Sequence, residues 1–379
     1  MCGIVAIVRR RSTRSVPASD EIMALVPALG DALSPDPEQL SALADAFESV
    51  DALLKGVPGV ACLVGDSDLT AALTHRIDQL EGHIATLEAE LEAADDTENT
   101  EAINAALLRL KDAGWAIGRD RLRTARAVLD LCDGVVTIAS LEALTSVQEA
   151  LSAIDRLEVR GRDSAGLHLL VRGHGLDLTS DSVASMLASR GEDANFGSGS
   201  VRVADGHLSF VYKAAAEIGE LGDNTAALRA AIKSDDLLHK ALDNDSASVT
   251  VLGHTRWASV GIISEPNAHP LNSEQANDFS CPYVTAALNG DVDNFADLKA
   301  TEGLAIAPAI STDAKVIPTL MGKHLEALDE RTELAGVDES FRRTVAALEG
   351  SVAIAASAAV TPGRLQLALR GSGQALYVG

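Results

Sequence analysis

The sequence predicts an α+β protein with antiparallel sheets and an inserted helical module, and three observations predict it. The chain begins with an apolar, β-branched run at residues 4–8, which is typical of a buried strand. From about residue 12 to residue 146, Ala, Leu, Glu and Asp dominate and strand-forming residues are scarce. After residue 146, short strands come in runs with helices between the runs, which is typical of antiparallel sheets and not of a repeated βαβ unit.

Composition and charge exclude several classes of protein. The 379 residues are 47% hydrophobic, which is ample for a buried core, and the net charge is −24. This charge argues against nucleic acid and anionic membranes as partners, because both would be repelled. The four cysteines are far apart and form no Cys-x-x-Cys pair, which argues against a zinc ribbon. Since no run of about eighteen apolar residues occurs, we expect no membrane span and a cytoplasmic location.

Cys2 stands directly before the first predicted strand, at the edge of the core. Removal of the initiator Met, which the small side chain at position two permits, would give Cys2 a free α-amine beside its thiol. Such an amine has a pKa of about 7.7–8, so that one residue would supply both a nucleophile and a base. The alternative is an ordinary small buried thiol, because Cys is among the most buried residue types.

Residues 11–146 are predicted to form an inserted helical module. Apolar residues step by three and four positions along two segments, which is the spacing of a heptad seam. These residues are Ile77, Leu80, Ile84, Leu87 and Leu91 in the first segment, and Ile103, Leu107, Leu110 and Ile117 in the second. The polar run 95–99 separates the segments, which predicts an antiparallel, coiled-coil-like hairpin. The module holds no convergent set of catalytic residue types.

The remainder of the chain is predicted to alternate short strands and helices. The predicted strands are 167–171, 208–212, 248–253, 283–288, 351–358 and 365–370. The predicted helices are 146–157, 218–242, 295–301, 313–325 and 339–349. Since neither a Gly-x-Gly-x-x-Gly nor a Walker sequence occurs, we expect no nucleotide cofactor, and we expect no metal.

Three loops carry residue types suited to chemistry. Arg256 ends a predicted strand, where its guanidinium can make two parallel hydrogen bonds to a carboxylate. Asn289 and Gly290 also end a strand; they can form a tight turn, or they can direct the Asn amide and the Gly N–H at one oxyanion. Asp313 starts a predicted helix, either as an N-cap or as the partner of a substrate ammonium.

Six short motifs, in order along the chain, resemble the glutaminase domain of the class II, N-terminal-nucleophile glutamine amidotransferases. The likeness is greatest to the glucosamine-6-phosphate synthase branch. The motifs are Met1-Cys2-Gly3-Ile4-Val5, Arg160-Gly161-x-Asp163-Ser164-Ala165-Gly166, His254-Thr255-Arg256-Trp257-Ala258, Asn267-Ala268-His269-Pro270, Asn289-Gly290 and Thr312-Asp313. The resemblance covers residues 1–10 and about 147–379, which we expect to be the glutaminase domain, and leaves 11–146 outside it.

The resemblance implies a four-layer αββα sandwich and a set of residue roles. Cys2, once Met1 is removed, would attack the side-chain amide of glutamine, with Asn289 and Gly290 as the oxyanion hole. Arg256 would hold the α-carboxylate of glutamine, and Asp313 its α-ammonium.

Four further residues match positions around the same pocket. Ser259 and His269 would line the glutamine site, and Trp257 would stand at the mouth of an ammonia passage. Arg160 would be a structural residue near the nucleophile.

The implied reaction gives glutamate and ammonia, and the ammonia would be transferred to a sugar phosphate, fructose 6-phosphate, to make glucosamine 6-phosphate. The implied partner is a sugar isomerase domain, in the full-length chain or in trans. Residues 368–379 resemble the end of the family's glutaminase domain. We therefore expect that the chain is cut at a domain boundary and lacks the acceptor domain. A homodimer is left open.

Two other functions fit the same residues. One is a catalytically silent glutamine sensor or assembly module that acts through its helical insertion. Against it stands an intact set of five site residues, which a silent module would not need: Cys2, Arg256, Asn289, Gly290 and Asp313. The other is a relative that feeds a phosphoribosyl or aspartyl acceptor, against which the segment His254-Thr255-Arg256-Trp257 favours the sugar-phosphate branch.

Overall fold

A computed structural model describes residues 2–93, 99–132, 134, 136–191, 193–215, 220–276, 278–371 and 374–379. The chain forms two compact units, of which the larger comprises Met1–Arg10 and Cys132–Gly379 and the smaller Arg11–Leu131. Most of the polar run predicted to separate the two helical segments, residues 95–98, lies outside the described residues. Across those that are described, no helix is both long and apolar enough to cross a membrane.

The strands of the larger unit form two antiparallel sheets. They are β1 (Gly3–Val8), β2 (Ser164–Arg172), β3 (Val201–Ala204), β4 (His207–Ala214), β5 (Ser248–Arg256), β6 (Leu271–Asn272), β7 (Val284–Val292), β8 (Gly350–Ala358) and β9 (Gln366–Arg370). The first sheet has the order β1-β5-β2-β4-β3, and the second has the order β6-β7-β8-β9. Every predicted strand is present, and the short strands β3 and β6 were not predicted.

The helices of the larger unit are α7 (Ile138–Leu157), α8 (Asp181–Gly191), α9 (Asp223–Lys233), α10 (Asp236–Leu242), α11 (Phe295–Thr301), α12 (Val316–Glu326) and α13 (Leu334–Ala347). The prediction of one helix over 218–242 is wrong, because α9 ends at Lys233 and Asp235 begins α10 by accepting the N–H groups of Leu237 and Leu238. Residues 216–219 lie outside the described part of the chain.

Two helical layers cover the two sheets. Helix α7 packs on β1 and β5, α9 packs on β2 and β4, and α12 and α13 cover the second sheet. Between the sheets, Leu252 of β5 packs against Ala287 of β7 and Ala355 of β8, with Ile4 beside them. Helix, sheet, sheet and helix therefore follow one another, and the predicted α+β class with antiparallel sheets is confirmed.

Helix α7 begins earlier than the sequence indicated. It starts after Thr137, whose side chain accepts the Ser140 N–H at 3.0 Å while the Ser140 hydroxyl accepts the Thr137 N–H, forming a capping box. The predicted start at residue 146, and with it the predicted domain boundary at 146/147, falls inside this helix. The boundary between the compact units lies instead at 131/132. A Ser at the third helical position was not recognised as a capping signal.

In its described part, the smaller unit consists of helices and the loops that connect them. Its helices are α1 (Ser19–Leu25), α2 (Pro37–Leu53), α3 (Gly56–Gly65), α4 (Ser67–Ala93), α5 (Thr100–Trp115), a π-helical turn (Ala116–Leu122) and α6 (Arg123–Leu131). The predicted heptad positions Ile77, Leu80, Ile84 and Leu87 are buried on α4. They belong to one core that also includes residues of α2 and α5, so the two long helices are part of a bundle and do not form an isolated hairpin.

Helix α5 offers a matched test of this core. Leu110 is 0% exposed, whereas Leu108, two positions earlier, is 61% exposed. We expect Leu110→Ala to lower the free energy of unfolding of the helical unit by about 2–5 kcal/mol, because it leaves a cavity. Leu108→Ala should change it by less than about 0.5 kcal/mol. Urea unfolding followed by circular dichroism measures both; equal effects would contradict the packing described.

Candidate active site

The pairing of β1 with β5 places Cys2 beside the end of β5. Gly3 lies opposite Thr255 in the ladder, and the Cys2 Sγ accepts a hydrogen bond from the Trp257 backbone N–H at 3.2 Å. A Cβ at Gly3 would lie 2.7 Å from Leu157 Cδ1. Glycine therefore lets the C-terminal end of α7 pack directly against the residue after Cys2.

The environment of Cys2 keeps its thiol protonated near neutral pH. Burial raises the pKa of the thiol, and the charge of Asp291 adds to the rise, whereas the Trp257 N–H and the charge of Arg256 lower it. Because the thiolate is the reactive form, attack requires a base. Among the described residues, Sγ is hydrogen-bonded to the N–H and the carbonyl oxygen of Trp257, and neither of these groups is a base.

Arg256 is buried and closes the loop that follows β5. Its two terminal nitrogens donate to the backbone carbonyls of Val260 and Ile262. Burial lowers the pKa of its guanidinium, and the charges of Asp313 and Asp163 act in the opposite direction. Arg has five N–H donors, so some remain for a carboxylate ligand while the loop contacts are kept.

Asp313 lies 3% exposed at the start of a short 3₁₀ turn before α12. Its Oδ2 accepts the N–H of Val292, in β7, at 2.7 Å. Burial raises the pKa of its carboxyl, and the nearby Asp291 adds to that rise. A buried carboxylate beside a second carboxylate is a favourable site for a cation such as an ammonium group. Asp313 therefore binds a strand of the second sheet, which the N-cap interpretation from the sequence does not explain.

Asn289 and Gly290 lie within β7 and do not form a tight turn. They are opposite Ala353 and Val352 of β8. Gly290 has a φ of 119°, and a Cβ there would lie 1.9 Å from the Ser351 carbonyl oxygen. The alternative interpretation of these residues as a turn is therefore wrong, and glycine is required for a different reason.

Beyond its short pairing with β6, the edge of β7 that points away from β8 faces the other predicted site residues. The Leu288 N–H points at His269 Nδ1 at 3.4 Å, and the Val292 N–H donates to Asp313. Alternate residues of a strand direct their N–H groups to the same edge. The Gly290 N–H, which lies between these two, therefore points to the edge where His269 and Asp313 stand.

His269 is buried and neutral. Its ring lies 4.4 Å from that of His254, centroid to centroid. Burial lowers the pKa of His254 to about 3 and that of His269 well below its ordinary value. Neither imidazole titrates near neutral pH, so His269 can shape the pocket but carries no positive charge there.

The remaining predicted site residues are more exposed. The Ser259 hydroxyl donates to Asp291 Oδ1. The Trp257 side chain is 56% exposed, although its N–H contacts the thiol. Arg160 lies exposed in the loop after α7, a few residues from Leu157. The structure thus gathers Cys2, Arg256, Asp313 and the end of β7, and leaves Trp257 and Arg160 at the periphery.

Two acidic residues of the site received no role from the sequence. Asp163 accepts the Ala258 N–H at 2.8 Å and donates its own N–H to the Arg256 carbonyl, which fixes the loop carrying Arg256. Asp291 binds Ser259 and acts on the pKa of both Cys2 and Asp313. Asp163 stands inside the motif at residues 160–166, and Asp291 directly follows Asn289-Gly290. This position in or beside a motif is the sequence signal that points to both residues. Among the described residues, no group of three His, Cys, Asp or Glu side chains is placed to hold a metal ion.

Lys213 lies in β4, close enough to act on the pKa of His269, and is 3% exposed. Among the described residues its Nζ has no hydrogen-bond partner, and it lies 5.0 Å from the centre of the Phe196 ring. Burial lowers the pKa of this ammonium to about 7, and the positive charge of Lys315 adds to the effect. The buried cation therefore destabilises the fold at neutral and acidic pH.

We expect Lys213→Met to raise the free energy of unfolding at pH 6. Between the folded pKa of about 7 and the unfolded value of 10.5, the unfolded wild type binds more protons than the folded one. Wild-type stability therefore rises with pH, and the advantage of the variant shrinks by up to about 1.4 kcal/mol per pH unit. Urea unfolding at pH 6, 8 and 9.5 measures the difference. Lys299→Met, at an exposed position, is the control; a gain for Lys213→Met that persists unchanged at high pH would contradict this account.

Relatives of this chain are found among the glutamine–fructose-6-phosphate aminotransferases (isomerizing). The protein from Halalkalibacterium halodurans is 33% identical over 118 residues, which are 31% of this chain and 18% of the relative. The protein from Chlamydia pneumoniae is 29% identical over 162 residues, 39% of this chain and 24% of the relative. The protein from Thermosynechococcus vestitus is 33% identical over 144 residues, which are 37% of this chain and 21% of the relative. The matching part of the chain thus spans about a fifth of the length of these relatives.

Comparisons with family models and with solved structures give weaker support than these relatives do. No protein-family model matches the chain. Among solved structures, glutamine phosphoribosylpyrophosphate amidotransferase from B. subtilis, complexed with ADP and GMP, gives a TM-score of 0.27 at 16% identity, over 51% of this chain and 35% of that chain. The allosteric regulatory enzyme of purine biosynthesis gives the same TM-score at 15% identity, over the same shares of the two chains. These scores are too low to argue for a shared fold. The sequence relatives confirm the recognised resemblance to glutamine amidotransferases, and they are enzymes of the predicted type.

Proposed function

We propose that this chain hydrolyses the side-chain amide of glutamine with Cys2 as the nucleophile. The observation that carries the proposal is the position of the Cys2 thiol. The Trp257 N–H holds it at the end of β5, where the charges of Arg256 and Asp291 act on it. Asp313 is close enough to influence Arg256, and Asp291 to influence Asp313. One cation and one carboxylate thus act on the thiol, and the carboxylate of Asp313 is close to both of them.

This arrangement suits a free amino acid. The remaining donors of Arg256 would bind the α-carboxylate, and Asp313, with Asp291 nearby, would bind the α-ammonium. Two opposite charges recognised together favour an amino acid over a simple amide. Ser259, through its contact with Asp291, and the neutral His269 would complete the pocket.

The reaction would proceed through a thioester. Once Met1 is removed, the α-amine of Cys2 accepts the thiol proton as Sγ attacks the amide carbon. The Asn289 amide and the Gly290 N–H stabilise the oxyanion of the tetrahedral intermediate. The amine returns the proton to the departing nitrogen, which leaves as ammonia, and water then hydrolyses the thioester to glutamate.

The acceptor of the ammonia is proposed from the relatives alone. Those relatives are named for fructose 6-phosphate and for isomerisation, which supports a sugar phosphate acceptor held by a sugar isomerase domain. Glucosamine 6-phosphate would be the product. We place this reaction in the cytoplasm, where cysteines such as the four free ones of this chain stay reduced.

The test is to incubate the chain with glutamine or asparagine and to measure the free amino acid and ammonia, with the N-terminal residue read by intact mass. We expect equal amounts of glutamate and ammonia from a chain that lacks Met1. Asparagine, one methylene shorter, should not react, because its amide would not reach Sγ while its charges are held. A processed, folded chain that stays inactive even with an isomerase domain added in trans would contradict the proposal.

A further inference from the structure

Gln374 contacts the peptide group that carries the proposed backbone donor of the oxyanion hole. Its Nε2 donates a hydrogen bond of 3.0 Å to the backbone carbonyl of Asn289. The same nitrogen lies 3.1 Å from the point where a Cβ of residue 290 would stand. Gln374 is half-buried, whereas residues 375–379, which follow it, are exposed. Its side chain is therefore held at β7 while the rest of the C-terminal stretch is in solvent.

The orientation of the Gln374 amide follows from chemistry. A backbone carbonyl only accepts hydrogen bonds, so the amide nitrogen, and not the amide oxygen, must face Asn289. The Gln374 Oε1 is buried and has no hydrogen-bond partner among the described residues. The bond to Asn289 is thus the one described polar contact that accounts for the placement of this side chain.

Holding the Asn289 carbonyl also fixes the Gly290 N–H, because both belong to one peptide group. A trans peptide is planar, with its C=O and N–H pointing in opposite directions. The Asn289 carbonyl is held by Gln374, and the Gly290 N–H therefore points away from Gln374, toward the edge of β7 where His269 and Asp313 stand. A hydrogen bond donated to the carbonyl also polarises the N–H of the same peptide.

This peptide needs such a support more than its neighbours do. Gly290 has a φ of 119°, outside the usual range of a strand, and carries no side chain that packing could fix. The other N–H groups on this edge of β7 are already held, since those of Leu288 and Val292 are both directed at buried side chains.

We infer that Gln374 is a positioning residue for the oxyanion hole. It holds the Asn289–Gly290 peptide so that the Gly290 N–H faces the developing oxyanion. The inference rests on the proposed glutamine hydrolysis for its catalytic consequence, but the hydrogen bond itself can be measured without turnover.

One experiment observes the peptide directly. Asn289-Gly290 is the only Asn-Gly step in the sequence, so the full chain labelled with ¹³C-carbonyl Asn and ¹⁵N-Gly gives a single carbonyl–amide NMR cross-peak from it. We expect Gln374→Met, which keeps the length of the side chain but removes the donor, to move this peak, with the carbonyl resonance upfield. Gln374→Lys, which restores a donor, should return it toward the wild-type position. Gln39→Met, on the exposed surface of the helical unit, should leave it in place.

A second readout separates positioning from general damage. Because an oxyanion donor acts in the transition state, we expect Gln374→Met to lower kcat roughly tenfold to a hundredfold with KM changed by less than about twofold. Gln374→Lys should recover part of the loss. Alkylation of Cys2 by iodoacetamide forms no oxyanion, so its rate should stay the same in all variants.

The outcomes are distinct. An unmoved cross-peak in Gln374→Met overturns the inference, and so does a moved cross-peak with unchanged kcat. A fall in the alkylation rate that parallels kcat would also overturn it, because the damage would then lie at the thiol. A processed wild-type chain without turnover, even with an isomerase domain added in trans, overturns the proposed function, and the role of Gln374 in holding the peptide is then decided by the cross-peak.

Discussion

Cys2→Ala is expected to abolish glutamine hydrolysis, with a loss of at least about 10⁴-fold in kcat. The substitution removes one sulfur atom and leaves β1, the Trp257 N–H and the charged residues in place. Because Cys2 is only half-buried, the thermal unfolding temperature should change by no more than a few degrees. Glutamate release and differential scanning calorimetry on the same preparations measure the two effects.

The matched control for Cys2 is Cys132→Ala. Cys132 is also a half-buried free thiol, and burial raises its pKa to about 11. It belongs to no part of the site, so its replacement should leave glutamine hydrolysis unchanged. If Cys2→Ala retained wild-type turnover, the nucleophile assignment would be wrong; if both variants lost activity equally, the assay would be reporting thiol-dependent stability.

Gly290→Ala is expected to lower kcat by about 10²–10³-fold, which is the loss typical of removing one oxyanion donor. The added Cβ would lie 1.9 Å from the Ser351 carbonyl oxygen, and the φ of 119° is unfavourable for any residue with a Cβ. The strand must therefore shift, and the Gly290 N–H moves with it. Steady-state kinetics with glutamine and urea unfolding together show how much of the change is catalytic.

Gly303→Ala separates strain of the backbone from displacement of the strand. Gly303 also has a positive φ, of 63°, but a Cβ there would meet no atom within 4 Å. We expect it to lose about 1–2 kcal/mol of stability and to keep its glutaminase activity. Retention of activity in Gly290→Ala would show that this N–H is not an oxyanion donor.

The elements that sequence patterns predicted are those with strong periodicity or a short local signal. The apolar run before Val8, the strand ending at Arg256 and the heptad spacing around Leu80 all reflect burial, which a sequence records directly. The start of α7 was missed because residues 139–145 are buried on nearly every side, so they show no helical stripe. A capping box with Ser in place of Glu gave only a weak signal.

The parts of the site that could be predicted are those where one residue type carries the chemistry. The parts that depend on contacts between residues distant in the sequence were less predictable. Cys2, Arg256 and Asp313 were identified from motifs. The packing of the two sheets determines two further features. Arg256 binds the carbonyls of its own loop, and Asp291 lies beside both Cys2 and Asp313. Asn289-Gly290 as a dipeptide favours a turn, and only its pairing with β8 shows that it continues the strand.

The contact between Cys2 and Trp257 joins residues that are 255 positions apart, and this separation has a consequence for the timing of synthesis. At about 5–20 residues per second, β5 leaves the ribosome roughly 10–50 seconds after β1. During that interval the first strand has no partner, and its end is accessible to an aminopeptidase. We therefore expect Met1 to be removed while the chain is being made. The maturation of the nucleophile is then set by a kinetic competition between processing and folding.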